Sequence, residues 1–338
     1  MKVDPISFSK ILGMCSKFAS TRDLVPVLKC FKFSGYRIST TDGSRGIIYE
    51  MENPFDTTFF VPSDLLTIFG NLEQVADIEV DSEYCRISSG RFKTKIPLFR
   101  GNYTYPEMPS EIEKLPDKFL DYVREVYFAV TKDETKPEMR GVFVDKNVFY
   151  ATNNRLIVRY TAPIEFASSF LIPDTLLELV IGNEPLGYTF LEDKFWFWYQ
   201  NYLVFCSLIK KSFPDCKGIF DFYVSKPPEI VCSFDLSSMI SALRRLEPFA
   251  EGILIKKISV LVTDKCITFK GTNPNVGEAE EEIDSSGLPS GTTWSFDVSF
   301  ELFSSLASRI NRFSLIEQVL CFSDGGPLEG LLTTVKKN

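Results

Sequence analysis

The sequence predicts an α+β chain of three like domains, each with two helices packed on antiparallel sheets. Three observations predict it. Amphipathic helix patterns open at Phe8, Phe119 and Phe234, roughly 110 residues apart. Each is followed by a strand that ends in Thr with Asp or Asn. Each copy then carries a second helix and a run of alternating strands. A length of 338 residues suits two or three domains.

The elements follow in order. Phe8, Ile11, Leu12, Cys15 and Phe18 recur at helical spacing, so the first helix is expected over 8–18. Its counterparts are expected over 119–130 and 234–246, on the apolar faces Leu120/Val123/Tyr127 and Leu236/Met239/Leu243/Leu246. The polar strand ends are Thr41-Asp42-Gly43, Thr152-Asn153-Asn154 and Thr272-Asn273-Pro274, residue types whose side chains bond their own backbone in tight turns. Pro62-Ser63-Asp64 and Pro173-Asp174-Thr175 read as helix starts, with a looser third copy at 297–303. Residues 84–96 and 195–206 read as hairpins. Tyr105-Pro106-Glu107 and Phe213-Pro214-Asp215 read as extended interdomain connections, giving domains 1–109, 110–221 and 222–338.

Composition narrows the function. The chain has no histidine, which removes every imidazole-based triad, base or metal site. Its eight cysteines form no C-x-x-C pair, so a zinc ribbon is not expected, and reduced, buried thiols in a cytoplasm are. No cofactor or metal is called for. A net charge of −8 excludes a general basic coat for gripping nucleic acid, though not a local basic face. Glu278, Glu280 and Glu282 fall on one side of a strand by period two, a pattern that keeps an edge from pairing with strangers.

Four stretches carry a family resemblance: Arg22-Asp23-Leu24-Val25-Pro26, Ala151-Thr152-Asn153-Asn154-Arg155-Leu156, Phe213-Pro214-Asp215 and Asn273-Pro274-Asn275-Val276-Gly277-Glu278-Ala279-Glu280-Glu281. In this order and spacing the chain resembles the bacterial and phage β-type DNA sliding clamp, the processivity subunit of a replicative DNA polymerase. The resemblance implies a homodimeric ring of six domains, helices lining the hole and sheets outside. Such a ring is not an enzyme. It would encircle double-stranded DNA without reading sequence, and its partners would be a DNA polymerase and a clamp loader that dock short linear motifs.

The resemblance and the helix faces together nominate residues. For DNA they are Lys10, Lys17, Arg22, Lys132, Lys136, Arg244, Arg245, Arg309 and Arg312. A sliding ring needs few phosphate contacts, since closure retains it and each contact adds salt sensitivity. Along the six helices and the Arg22 segment acids outnumber cations, so either the acids lie at helix starts, where the dipole favours them, or the ring holds DNA weakly. For the partner-peptide pocket the resemblance nominates Met139, Thr152, Arg155, Leu156, Leu332, Thr334 and Val335. The tail lacks the family's Met-Pro-Met character; methionine adapts to many ligands, so a narrower partner set is expected. For ring closure, Tyr105 and Met108 are expected to face Leu246 and Phe249. The alternatives are a clamp paralogue serving late transcription or repair, a carboxylate-dependent enzyme on an α+β scaffold, and a structural self-assembly protein.

Overall fold

The computed structural model of the chain describes all residues except 23, 181, 225–229, 251–255 and 336–338. The first stretch of chain contains β1 (Lys2–Val3), α1 (Pro5–Ser16), β2 (Cys30–Thr41), β3 (Arg45–Pro62), α2 (Leu66–Phe69), β4 (Ala76–Val80), β5 (Tyr84–Ser89) and β6 (Phe92–Pro97). The second contains β7 (Glu113–Lys114), α3 (Phe119–Tyr127), β8 (Gly141–Asp145), β9 (Val148–Thr152), β10 (Leu156–Thr161), β11 (Phe170–Pro173), α4 (Asp174–Val180), β12 (Gly187–Leu191), β13 (Lys194–Trp198) and β14 (Tyr202–Ser207). After α5 (Cys216–Val224), the third contains β15 (Cys232–Phe234), α6 (Leu236–Leu246), β16 (Lys257–Thr263), β17 (Cys266–Asn273), β18 (Gly277–Ser286), β19 (Thr293–Ser299), α7 (Phe300–Ala307), β20 (Arg312–Ile316), β21 (Val319–Phe322) and β22 (Leu328–Thr333). The order strand, helix, strands, helix, strands thus recurs three times. In the first stretch, β2 and β3 do the work of four strands: their ladder shifts register on both sides of Gly35 of β2, which stands opposite Phe55 of β3 and whose positive φ of 56° suits glycine.

The chain forms two compact units. One comprises Met1–Phe119 with Thr175–Leu208, the other Leu120–Asp174 with Ile209–Asn338. The first unit holds the sheets β1-β4-β5-β6 and β2-β3-β14-β13-β12-β7. The second holds one sheet of order β11-β8-β9-β10-β22-β21-β20-β15-β18-β17-β16-β19. The division between units therefore runs through the second repeat. Division along the sequence at 109 and 221 is our proposal, supported by the recurring element order.

Apolar periodicity explains the helices. Phe8, Leu12, Cys15 and Phe18 are buried beneath α1, where Phe8 meets Phe69 edge-on at 4.8 Å and Phe33 stacks on Phe59 at 4.9 Å. Asp4 caps α1, its carboxylate accepting the Ser7 N–H at 2.9 Å, and Pro5 fills the first turn, where no N–H is missed. Asp235 caps α6 in the same way through Ser238. In the second unit Phe269, Phe303, Phe313 and Phe322 form one aromatic core. Full burial of such a side chain contributes about 1.5–3 kcal/mol.

Several expectations are corrected. The helix bounds differ from those the apolar pattern implies: α1 begins earlier, at Pro5, α3 stops sooner, at Tyr127, and α6 begins later, at Leu236. Pro62 still belongs to β3, with a tight turn at Ser63–Leu65 before α2, and residues 297–299 still belong to β19. The segment after Phe213-Pro214 does not run extended. Asp215 accepts the Gly218 N–H at 2.8 Å and starts α5, which lays Cys216 and Phe220 on Tyr150, Val319 and Leu331.

Candidate nucleic-acid and peptide interface

The candidate DNA cations divide by what holds them. Lys10 and Lys17 are exposed, opposite the buried side of α1. Arg22 is exposed in a bend where Ser20 Oγ accepts its N–H at 3.1 Å. Lys132 is exposed with its ammonium 5.4 Å from the Tyr127 ring centre, and Lys136 is half-buried. Between them the Asp133 carboxylate accepts the Thr135 hydroxyl and N–H at 2.7 and 2.9 Å; these bonds hold the turn and keep the carboxyl below its usual range. Arg244 and Arg312 are exposed. Arg245 and Arg309 make hydrogen bonds within the chain. Arg245 grips Glu281 of β18 through two bonds of 2.6 and 2.8 Å. Arg309 donates to the Ser305 carbonyl at 2.8 Å and lies 4.4 Å from the Phe128 ring centre.

Arg140, not anticipated from the sequence, anchors the 132–139 loop. Its Nε and Nη2 donate to Asp174 Oδ2 at 3.1 and 2.8 Å, and its carbonyl accepts the Asp174 N–H at 3.0 Å. Asp174 is buried, so this bidentate pair satisfies a charge that would otherwise be stranded.

The structure brings four pocket candidates together. Thr152 Oγ1 donates to the Leu156 carbonyl at 2.9 Å, closing the β9–β10 turn. Leu156 stands opposite Leu332 in the β10·β22 ladder, and the Thr333 N–H donates to the Arg155 carbonyl at 2.9 Å. Thr152, Leu156, Leu332 and also Met139 are buried, so as folded they form a floor and not an open surface. Arg155 is exposed. Thr334 and Val335 are half-buried, tied to the Gln318 and Asp297 carbonyls at 2.9 and 2.7 Å. The end of the candidate tail, 336–338, lies outside the described residues, as does residue 23 beside Arg22.

The candidates for ring closure are placed inside the chain. Tyr105 donates its hydroxyl to the Ser39 carbonyl at 3.1 Å, and Met108 packs on Ile48, Trp196, Leu203 and Phe205. Leu246 is fully buried, and Phe249 lies against Gly271. Tyr105, Met108 and Phe249 are half-buried and Leu246 alone is closed off; the interface proposed below uses other residues.

Two charged strand edges are open. Among the described residues, β6 pairs with β5 alone, and over residues 277–284 β18 pairs with β17 alone. The β6 edge carries Arg91, Lys93 and Lys95, all exposed, and the β18 edge Glu278, Glu280 and Glu282, all exposed.

Compared with known structures, the chain aligns over its full length with DNA polymerase III β subunits. That of Pseudomonas aeruginosa superposes with a TM-score of 0.84 at 16% identity, covering 100% of both chains. The sliding clamp of Bartonella birtlesii bound to griselimycin gives 0.85 at 15% identity, covering 100% of this chain and 99% of that one. The β subunit of Thermotoga maritima gives 0.80 at 15% identity, covering 100% and 99%. The chain has the β sliding-clamp fold. In sequence, it is 26% identical over 133 residues to the β sliding clamp of Borreliella burgdorferi, a match covering 35% of this chain and about a third, 34%, of that relative. No protein-family model matches. The clamp fold accounts for the three-fold recurrence of elements and for the antiparallel sheets expected from the sequence.

Proposed function

We propose that two copies of this chain close head to tail into a ring that encircles duplex DNA and tethers a DNA polymerase and its loader, without chemistry of its own. One observation carries the proposal: the ladder between successive repeats is used twice within the chain and left open once. After each polar turn, the following strand pairs with the last strand of the next repeat. β3 takes β14, with Arg45 opposite Cys206 and Tyr49 opposite Tyr202. β10 takes β22, with Leu156 opposite Leu332 and Tyr160 opposite Leu328. The corresponding strand of the third repeat is β18, and the last strand of the first repeat is β6. A second copy can supply each with its missing partner, and a heterologous contact of this kind closes into a ring.

The register follows from the same rule. Gly277, paired with Asn273, stands where Arg45 and Leu156 stand after their turns. Phe92, paired with Ser89, begins β6 as Tyr202 begins β14. In this register Lys95 of one copy faces Glu278 of the other, Lys93 faces Glu280 and Arg91 faces Glu282. The Lys93/Glu280 position is the one that holds the Arg159–Glu329 ion pair, at 2.6 Å, in the β10·β22 ladder. Opposite charges directly across a ladder stabilise it, and like charges destabilise it.

Inside the ring the exposed Lys10, Lys17, Arg22, Lys132, Arg244 and Arg312 would meet phosphates in passing; an acidic chain with few such contacts slides and is held by closure. The partner peptide would lie over the buried Thr152, Leu156 and Leu332, between the exposed Arg155 and the tail residues Thr334 and Val335. The test has two parts. The free protein should have the molar mass of a dimer by light scattering, and protein loaded on nicked circular DNA should be lost when the circle is linearised. A monomeric mass at all concentrations, or equal retention on linear and circular DNA, would sink the reading.

A further inference from the structure

The first and third repeats differ at one seam. In the third, β15 bridges two strands: Ser233 and Phe234 pair with Ser286 and Ser285 of β18, while Cys232 and Ser233 pair with Phe313 and Arg312 of β20. Among the described residues, its counterpart β1 pairs with β4 alone, Lys2 opposite Asp77 and Val3 opposite Ala76, with no ladder to β3. Where the third repeat is closed, the first has a groove of two adjoining cavities, 670 and 610 Å³, that share Met1, Lys2 and Asn53. One runs between residues 53–57 of β3 and residues 78–80 of β4; the other continues along residues 49–53 above Phe8 and Ile11.

The walls offer backbone as well as side chains. Ile78 exchanges both ladder bonds with Met1, at 2.8 and 2.6 Å. Residues of an antiparallel strand alternate sides. Asp81 gives its N–H to Tyr84 on the β5 side, at 3.0 Å, so Val80 aims its N–H and C=O into the groove, beyond the reach of β1, which pairs with residues 76 and 77. The floor is apolar, with Phe8, Phe55 and Ile78 buried. The rim is acidic: Asp4, Glu50, Glu52, Asp56 and Glu79 line the groove against Lys2 and the α-amino group. Among the described residues, Glu52, Asp56 and Glu79 are exposed and have no ion-pair partner.

We propose that this groove takes a basic, extended peptide segment of a partner protein as an added strand, its backbone pairing with Val80 and its cationic side chains meeting Glu52, Asp56 and Glu79. Strand addition draws its affinity from main-chain bonds and its selectivity from alternate side chains. Here one side of the strand must be apolar, toward Phe55 and Ile78, and the other Lys or Arg. The site is separate from the ring-closing edges and the Arg155 surface, so its test does not depend on them.

The probe is the capped hexapeptide Lys-Val-Lys-Val-Lys-Val, titrated into the full-length protein by calorimetry, with amide exchange followed by NMR. The expected result is saturable binding at one peptide per chain, slowed exchange of the Val80 amide, and binding weakened about tenfold or more in the variant Glu52→Lys, Asp56→Lys, Glu79→Lys, since like charges at a contact oppose it. All three positions are exposed, and an unchanged melting temperature confirms the variant is folded. Absence of saturable binding, or equal binding of Glu-Val-Glu-Val-Glu-Val, would overturn the proposal. So would a changed molar mass in the variant, which would assign the groove to a second copy of this chain.

Discussion

In the β3·β14 joint, Ile47, Ile48 and Tyr49 stand opposite Val204, Leu203 and Tyr202, and in β10·β22, Leu156, Ile157 and Tyr160 stand opposite Leu332, Leu331 and Leu328. The open edges of β6 and β18 carry Lys93, Lys95, Glu278 and Glu280 among the corresponding places. The difference follows from when each joint forms. The two apolar joints close as the chain folds and are never exposed afterwards. The β6 and β18 edges must stay in water until a second copy arrives, and an apolar open edge would pair with any strand it met. Charge alternation keeps each edge soluble and makes the pair of edges choose one another. On the proposed reading, the two charged joints are the ring's weakest seams and the most responsive to salt.

The largest effect should come from breaking that complementarity. The variant Glu278→Lys, Glu280→Lys, Glu282→Lys is expected to be monomeric by sedimentation where the parent is dimeric, and mixing it with Arg91→Glu, Lys93→Glu, Lys95→Glu should restore the dimer, with one native joint and one of reversed charge. Raising salt from low to physiological ionic strength should weaken the parent dimer as well, because charges at an exposed edge are screened over about 8 Å. A salt-independent dimer would mean that some other surface closes the ring.

A smaller effect is expected within one joint's support. Arg140→Met strands the buried Asp174 carboxylate and should lower stability by about 3–5 kcal/mol in urea melts. In the Arg140→Met, Asp174→Leu double variant most of that loss should be recovered, while the loop carrying Lys132 and Lys136 loses its anchor and DNA retention falls.

The smallest effects concern titratable groups. Burial pushes the Cys15, Cys206, Cys216 and Cys232 thiols up to about 12, and Cys85 to about 11, so at pH 8 these thiols should stay unreactive toward a disulfide reagent until the protein unfolds. The Arg245 guanidinium, by hydrogen bonding, holds the Glu281 carboxyl below its usual range. A depressed carboxyl pKa contributes stability above its unfolded value and loses it as pH falls through the folded one. The clip between α6 and β18 should therefore weaken on acidification below the ordinary carboxylate range, slightly, since Arg245 is largely exposed.

Much of this architecture was legible in the residues. The helix faces are set by local periodicity, and Leu120, Val123, Met239 and Leu243 are buried where that periodicity puts them. The β9–β10 turn was legible because Thr and Asn bond their own backbone there. The helix α5 was not, since Phe213-Pro214-Asp215 reads as an extended connection and only the Asp215 cap and the apolar bed beneath Phe220 make it a helix. Nor were the pairings between distant strands: the alternating charges of 91–95 and 278–282 can be seen one at a time, but which edge each completes depends on the ladders that the other repeats use up. That Leu156 and Leu332 stand opposite one another escapes sequence reasoning for the same reason, because it depends on the partner strand.

The β10·β22 ladder has one more consequence. Five consecutive residue pairs join the second repeat to the third, from Leu156–Leu332 to Tyr160–Leu328. The sheet, and not the peptide backbone alone, therefore joins these two repeats, so the order in which they are strung is uncoupled from part of what holds them.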